Sequence, residues 1–115
     1  MLEPLLNKKI YVASEPVDFR LGLDGLADIV RTENNAHIHD GSIFVFYNRF
    51  KNKIKILTWD TNGFVLYYKR LENLKFKLNF LNRRDNTITY EQLNNLLAGL
   101  NPIDSTRTKQ LESLD

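Results

Sequence analysis

Apolar and polar residues alternate most cleanly at Leu74, Phe76, Leu78 and Phe80, which share one parity while Lys75, Lys77 and Asn79 take the other. A period of two is the mark of a strand with one packed and one solvated face. Strands are predicted over about 42–48, 53–60, 64–71 and 74–80, joined as an antiparallel meander. Its clearest turn is Asn62-Gly63, between Asp60-Thr61 and Phe64, because a type I′ hairpin requires positive φ at both central residues. The second strand starts well, with Ile54 and Ile56 opposed to Lys53 and Lys55, but Leu57 and Trp59 then share the lysines' parity. A bulge or a partly apolar outer face accounts for that.

On either side of the meander the period changes. Ile10 to Ala13 reads as a short strand. Ser14 offers a cap, Pro16 suits a first helical turn, and Phe19, Leu23, Leu26 and Val30 recur at helical spacing, predicting a helix over about 16–32. Gly22 and Gly25 fall inside it, where each costs about 1 kcal/mol against alanine; close packing on the sheet is the simplest reason for them. After a further short strand near Thr87 to Tyr90, Thr89 and Gln92 form a capping box ahead of Leu93, Leu96, Leu97 and Leu100. Gly99, Asn101 and Pro102 end this second helix. The expected fold is α+β: a mostly antiparallel sheet, made of the four-stranded meander plus an N-terminal strand, with two helices packed on one face. Residues 1–102 make one domain, and the polar tail 103–115 is open to disorder or to use as a docking arm.

Composition narrows the function classes. With 115 residues, 43% of them apolar, the chain buries one core and hardly two. It has no cysteine, which removes disulfides, thiolate metal sites and thiol catalysis. No apolar run approaches the roughly 18 residues of a membrane span, and MLEPLLNKKIYV lacks a signal peptide's apolar stretch; a cytoplasmic location is expected. Charge is unevenly placed. Between Arg49 and Arg84 stand ten basic and two acidic residues, a net of +8, so the remainder of a chain that totals +2 carries −6. A cationic surface on a mildly acidic body points to a polyanionic partner.

Candidate chemistry is sparse. Asp24 and Asp28 share a helix face with Arg20 and Arg31, the pattern of ordinary surface charge. No phosphate-binding glycine loop, metalloprotease helix or serine elbow is present. His37 and His39 with Asp40 fall short of a metal-ligand set and read as a solvated loop. The basic strands are the better candidate: Lys53, Lys55, Lys69, Lys75 and Lys77 to neutralise phosphates, with Trp59, Tyr67 or Phe50 to stack on bases. The plain alternative is that lysines keep a sheet face wet and aromatic residues are routine in strands.

Three runs carry a family resemblance: VDFRLGLDGLADIV at 17–30, IFVFYNRFKNKIKILTWDTNGFVLYYKRLENLKF at 43–76 and LNNLLAGL at 93–100. Together they resemble the accessory protein encoded by the second open reading frame of the insertion-sequence-66 family of bacterial transposons. Asp18-Phe19-Arg20 with Gly22, Asp24-Gly25-Leu26, Trp59-Asp60, Asn62-Gly63-Phe64 and Lys69-Arg70-Leu71-Glu72 are its most distinctive pieces. Leu21 departs from the basic residue usual after Arg20, and Leu78-Asn79 from a tryptophan-proline pair.

The resemblance implies a role in transposition beside a larger transposase that holds the catalytic acids and beside another small protein. It brings no catalytic residue, cofactor or metal site to this chain. DNA is the expected partner, contacted by Arg20, Lys53, Lys55, Lys69, Arg70, Lys75 and Lys77. A rival reading makes the protein an adaptor that grips the transposase through Trp59, Phe64, Tyr67 and Tyr68 with Arg70. A third, a small metal-dependent nuclease, would use Asp18, Asp24 and Asp60. An exposed strand edge leaves homo-oligomers open.

Overall fold

A computed structural model describes residues 8–82 and 86–102; the expected tail lies outside the described residues. Five strands among the described residues form one open sheet: β1 (Ile10–Val12), β2 (Ile43–Tyr47), β3 (Lys53–Asp60), β4 (Gly63–Arg70) and β5 (Thr87–Ile88), in the order β4-β3-β2-β1-β5. All pairings are antiparallel except β1 with β2. Among the described residues two helices complete the α+β fold, α1 (Leu23–Asn34) and α2 (Tyr90–Leu97).

Strand β2, IFVFY, is buried at every position. Alternation sends Ile43, Val45 and Tyr47 to one side, where they join Ile10, Ile54, Ile56, Leu93 and Leu96. Phe44 and Phe46 go to the other, with Leu57 and the α1 residues Leu26, Ala27 and Val30. The two helices therefore cover opposite sides of the sheet, and the expected packing of both on one face is corrected. An all-apolar strand in the middle of a sheet needs a cover on each side, and one helix supplies each.

The same two-sided cover explains the mixed parity of β3. Its pairing with β4 runs without a bulge from Lys53↔Arg70 to Asp60↔Gly63. Leu57 is fully buried on the α1 side, so that face is apolar in its middle and cationic only toward one end.

The stretch predicted as a fourth meander strand follows the right parity but is not a strand. Phe76, Leu78 and Phe80 are buried on the α2 side while Leu74 is exposed. Asn73, at φ 62, turns the chain after β4, and the segment crosses beneath the sheet instead of lengthening it. It ends in a 3-10 turn, Asn79–Asn82. The departure at Leu78 thus fills a core position.

Helix α1 begins seven residues later than the spacing predicted. Residues 14–22 form a strap across the sheet, with Gly22 as an N-cap that has no side-chain bond. A Cβ at Gly25 would come 2.7 Å from Leu21 Cδ2, so this glycine makes room for the strap, not for the sheet. Helix α2 has the predicted capping box: Gln92 N–H donates to Thr89 Oγ1 at 3.1 Å, and Thr89 N–H to Gln92 Oε1 at 2.9 Å.

The β3–β4 hairpin stands where expected, but its two turn residues are Thr61 and Asn62, and only Thr61 has positive φ, at 54. A β-branched residue is strained in that region. Thr61→Gly is expected to raise stability by roughly 0.5–1 kcal/mol, measured as a higher denaturation midpoint at unchanged slope.

Candidate nucleic-acid interface

Position along β3 separates the expected phosphate-contacting lysines. Lys55 lies opposite Phe46 and Tyr68, under the strap, and is only 7% exposed. Its Nζ donates to the carbonyls of Phe19 at 3.1 Å and Leu21 at 2.8 Å. The Phe19 and Tyr68 rings lie 4.9 and 5.6 Å from it. The expectation that Lys55 meets phosphate is corrected: an amine with two carbonyls and two rings around it is a structural tie. Its partners are set up by Asp18, which accepts from Arg20 N–H at 2.9 Å and, through its carbonyl, from Leu21 N–H at 3.0 Å. The Asp-Phe-Arg motif is thus a turn that aims two carbonyls at a buried lysine.

Arg20 itself is exposed and paired with Asp18, Nη2 to Oδ2 at 2.6 Å. That contact holds the Asp18 carboxyl down at about 2. Lys69 points to the other side of the sheet, beside Tyr67, and its Nζ caps α2 by donating to the Leu97 carbonyl at 2.8 Å. A cation there also suits the negative end of the helix.

The remaining cations gather. Lys53 and Arg70 are cross-strand partners at one end of the sheet, and Arg70 reaches Glu72 at 2.9 Å. Beside them is the β2–β3 loop, Asn48 to Asn52, which carries Arg49 and Lys51. Asn48 pins this loop: its Oδ1 accepts from Asn52 N–H and Lys53 N–H at 3.0 Å each, and its Nδ2 donates to Asn52 Oδ1 at 2.6 Å. The segment after β4 is laced to the same loop, Leu71 N–H to Asn52 O at 2.8 Å and Phe76 N–H to Lys51 O at 2.7 Å. That second bond brings exposed Lys75 and Lys77 to the corner. Arg49 and Lys51 were counted in the sequence charge but not as contacts. The signal for them was the near-symmetric Asn-Arg-Phe-Lys-Asn run at 48–52.

At the opposite end of β3 the chemistry differs. Trp59 and Phe64 meet edge to face at 5.0 Å, and His39 packs edge-on against Trp59 at 4.7 Å. Tyr68 lies on the same side as these rings but further along, against Phe19, and Tyr67 lies on the opposite side. The four residues of the adaptor reading are therefore not one patch.

Of the acids in the nuclease reading, Asp18 is held by Arg20 and Asp60 accepts from Thr61 Oγ1 at 3.2 Å. Among the described residues no three His, Cys, Asp or Glu side chains are grouped to hold a metal ion. His37 and Asp40 do pair, Nδ1 to Oδ2 at 2.7 Å. Partial burial works against ionised Asp40, but hydrogen bonds from Ser42 and His37 outweigh it and bring its pKa to about 2.

Fold and corner together define a small α+β protein with an open sheet, a buried lysine tie and cations concentrated at one end. The chain belongs to the family of IS66 Orf2 like proteins, whose model matches residues 8–107. Membership gives it a role as an accessory protein of transposition. It is 34% identical over 110 residues to "Uncharacterized protein y4jC" of Sinorhizobium fredii (strain NBRC 101917 / NGR234), spanning 96% of this chain and 92% of that one. It is 30% identical over 100 residues to "Uncharacterized protein y4hO" of the same strain, at 87% of each. No solved structure matches it. No helix among the described residues is long and apolar enough to cross a membrane.

Two outcomes follow for stability. Lys55→Ala strands two covered carbonyls and should cost about 1–3 kcal/mol, whereas Lys53→Ala should stay within about 0.5 kcal/mol; parallel urea titrations compare them. Asp40, with a folded pKa below its unfolded value of about 3.9, contributes stability that is complete above pH 4 or so and is lost toward about 2. Asp40→Asn should be less stable at neutral pH and show a shallower fall in melting temperature between those limits.

Proposed function

We propose that this protein is a non-catalytic accessory factor that helps a separate transposase act on the DNA of its element, and that it touches this DNA with the cationic corner. The single observation carrying the reading is the convergence of Arg49, Lys51, Lys53, Arg70, Lys75 and Lys77 about one pinned loop. Glu72, paired to Arg70, is the acid among them, while Asp60 stands at the far end of the same hairpin. Cations grouped on one side of a small protein neutralise several neighbouring phosphates at once and release their counterions. Lys55 takes no part in this contact, since it is buried with two carbonyls on its amine; Lys69, exposed and bonded to the Leu97 carbonyl on the α2 side, is at most a subsidiary contact. Arg20 remains a subsidiary contact, tethered by Asp18.

The transposase is the proposed protein partner, and the edge-to-face pair Trp59 and Phe64 is the surface proposed for it, since aromatic anchors dominate such contacts. Tyr67 and Tyr68 lie apart from that pair.

Fluorescence anisotropy of labelled DNA at several salt concentrations tests the corner. The double variant Lys75→Glu, Lys77→Glu should weaken binding and flatten the dependence of log K on log salt by roughly one for each lysine that meets a phosphate. Unchanged affinity and slope would remove the assignment. Recovery of the transposase with the protein after nuclease treatment would then support a purely protein-mediated role.

A further inference from the structure

At the tip of the cationic corner, two large apolar side chains stand in solvent: Phe50, 70% exposed, and Leu74, 65% exposed. They are not a random pair. With Asn52, Asn73 and Lys75 they line an open hollow of about 320 Å³ between the β2–β3 loop and the arc that follows β4. The loop presenting the ring is rigidly tied, because the buried Asn48 side chain takes its two closing N–H groups and holds Asn52 as well. The arc is fixed by the bonds from Leu71 and Phe76 to Asn52 and Lys51. The polar network fixes the backbone that presents Phe50, and the ring itself stands in solvent.

We propose that the hollow between Phe50 and Leu74 is a docking site for an unpaired nucleobase, so that the protein prefers single-stranded DNA to duplex. The inference rests on the nucleic-acid reading above and adds a site and a strand preference to it. Phe50 offers a flat face to stack on, Leu74 closes the other side, and Asn52 and Asn73 line the hollow with amides for a base edge, Asn52 through its Nδ2, since its Oδ1 accepts from Asn48. Arg49, Lys51 and Lys75 are adjacent in sequence to the lining residues or belong to them, so the phosphates flanking a docked base find cations on both sides. Charge complementarity selects this occupant: an apolar protein segment covering the patch would have to desolvate these cations, whereas a nucleotide strand brings its own anions together with a flat ring for Phe50 to stack on. In a duplex the base faces are stacked on one another and unavailable to the ring.

The test compares Phe50 variants on a fluorescent oligo-dT strand and on a duplex of matched length, by anisotropy over a salt series. Stacking on one ring is worth about 1–3 kcal/mol per base, or roughly a 5- to 150-fold change in affinity. Phe50→Ala should therefore lose that factor on oligo-dT with its salt slope unchanged, and lose much less on duplex. Phe50→Trp should restore binding, and Phe50→Leu should not, which separates stacking from general apolar contact. Asn48→Ala, which frees the loop, should also weaken oligo-dT binding; its melting curve reports whether the fold is retained. Equal oligo-dT affinity for wild type and Phe50→Ala would overturn the platform while leaving the phosphate reading intact. An equal loss on both DNAs, or full rescue by leucine, would overturn it as well. Failure of the wild-type protein to bind any DNA would overturn both readings together.

Discussion

Strand β2 has no solvent face, and both of its neighbours, both covering layers and the position of the cationic corner follow from that. Burying a large apolar side chain contributes about 1.5–3 kcal/mol, so five in a row amount to roughly 10 kcal/mol, comparable to the whole net stability of a small domain. Neither cover is dispensable on those terms. One is α1 with its leading strap, the other α2 with the Phe76, Leu78 and Phe80 segment. Because the apolar centre of the sheet is closed on both sides, charged residues are displaced to the strand ends and the loops beyond them. The corner can carry charge because it is where the covering layers stop, and its sign comes from the lysines and arginines that the sequence places there.

Lys55 is the exception to that displacement. It sits one strand from β2 at a buried site, and its charge is met by the carbonyls of Phe19 and Leu21 and by two rings. The arrangement turns a lysine into the fastening for a strap that has no regular structure of its own. The flanking Asp18–Arg20 ion pair, although exposed, has the same purpose, since it shapes the turn that delivers those carbonyls.

Local signals were the ones the sequence revealed faithfully. The capping box at Thr89 and Gln92, the β3–β4 hairpin and the parity of Phe76, Leu78 and Phe80 are each specified by residues within a few positions of one another. Sheet order was not legible, because β1 pairs with β5, more than seventy residues away, and only packing decides that. The start of α1 was misjudged because Phe19 has helical spacing with Leu23 and Leu26, although it serves the strap and not the helix. Within the candidate site, charge located the corner but could not tell Lys53 from Lys55, two residues apart on one strand. What separates them is a loop that crosses above only one of them. The Asn48 side chain, whose bonds shape the corner, gave no sign of its role beyond its pairing with Asn52 in a short symmetric run.

The pairing of β1 with β5 also sets an order of events. The strands β1 to β4, helix α1 and the Phe76, Leu78 and Phe80 segment leave the ribosome before β5 and α2, so the sheet first exists with the β1 edge bare and the Ile10, Val12 and Ile43 side only partly covered. Such half-closed intermediates invite aggregation and proteolysis. Closure waits on Thr87 to Leu97, and a chain broken off before those residues has no means of completing it. Among the described residues, β5 and α2 thus tie the first strand of the sheet to the far end of the fold, so that the edge of β1 is sealed only once synthesis has passed them.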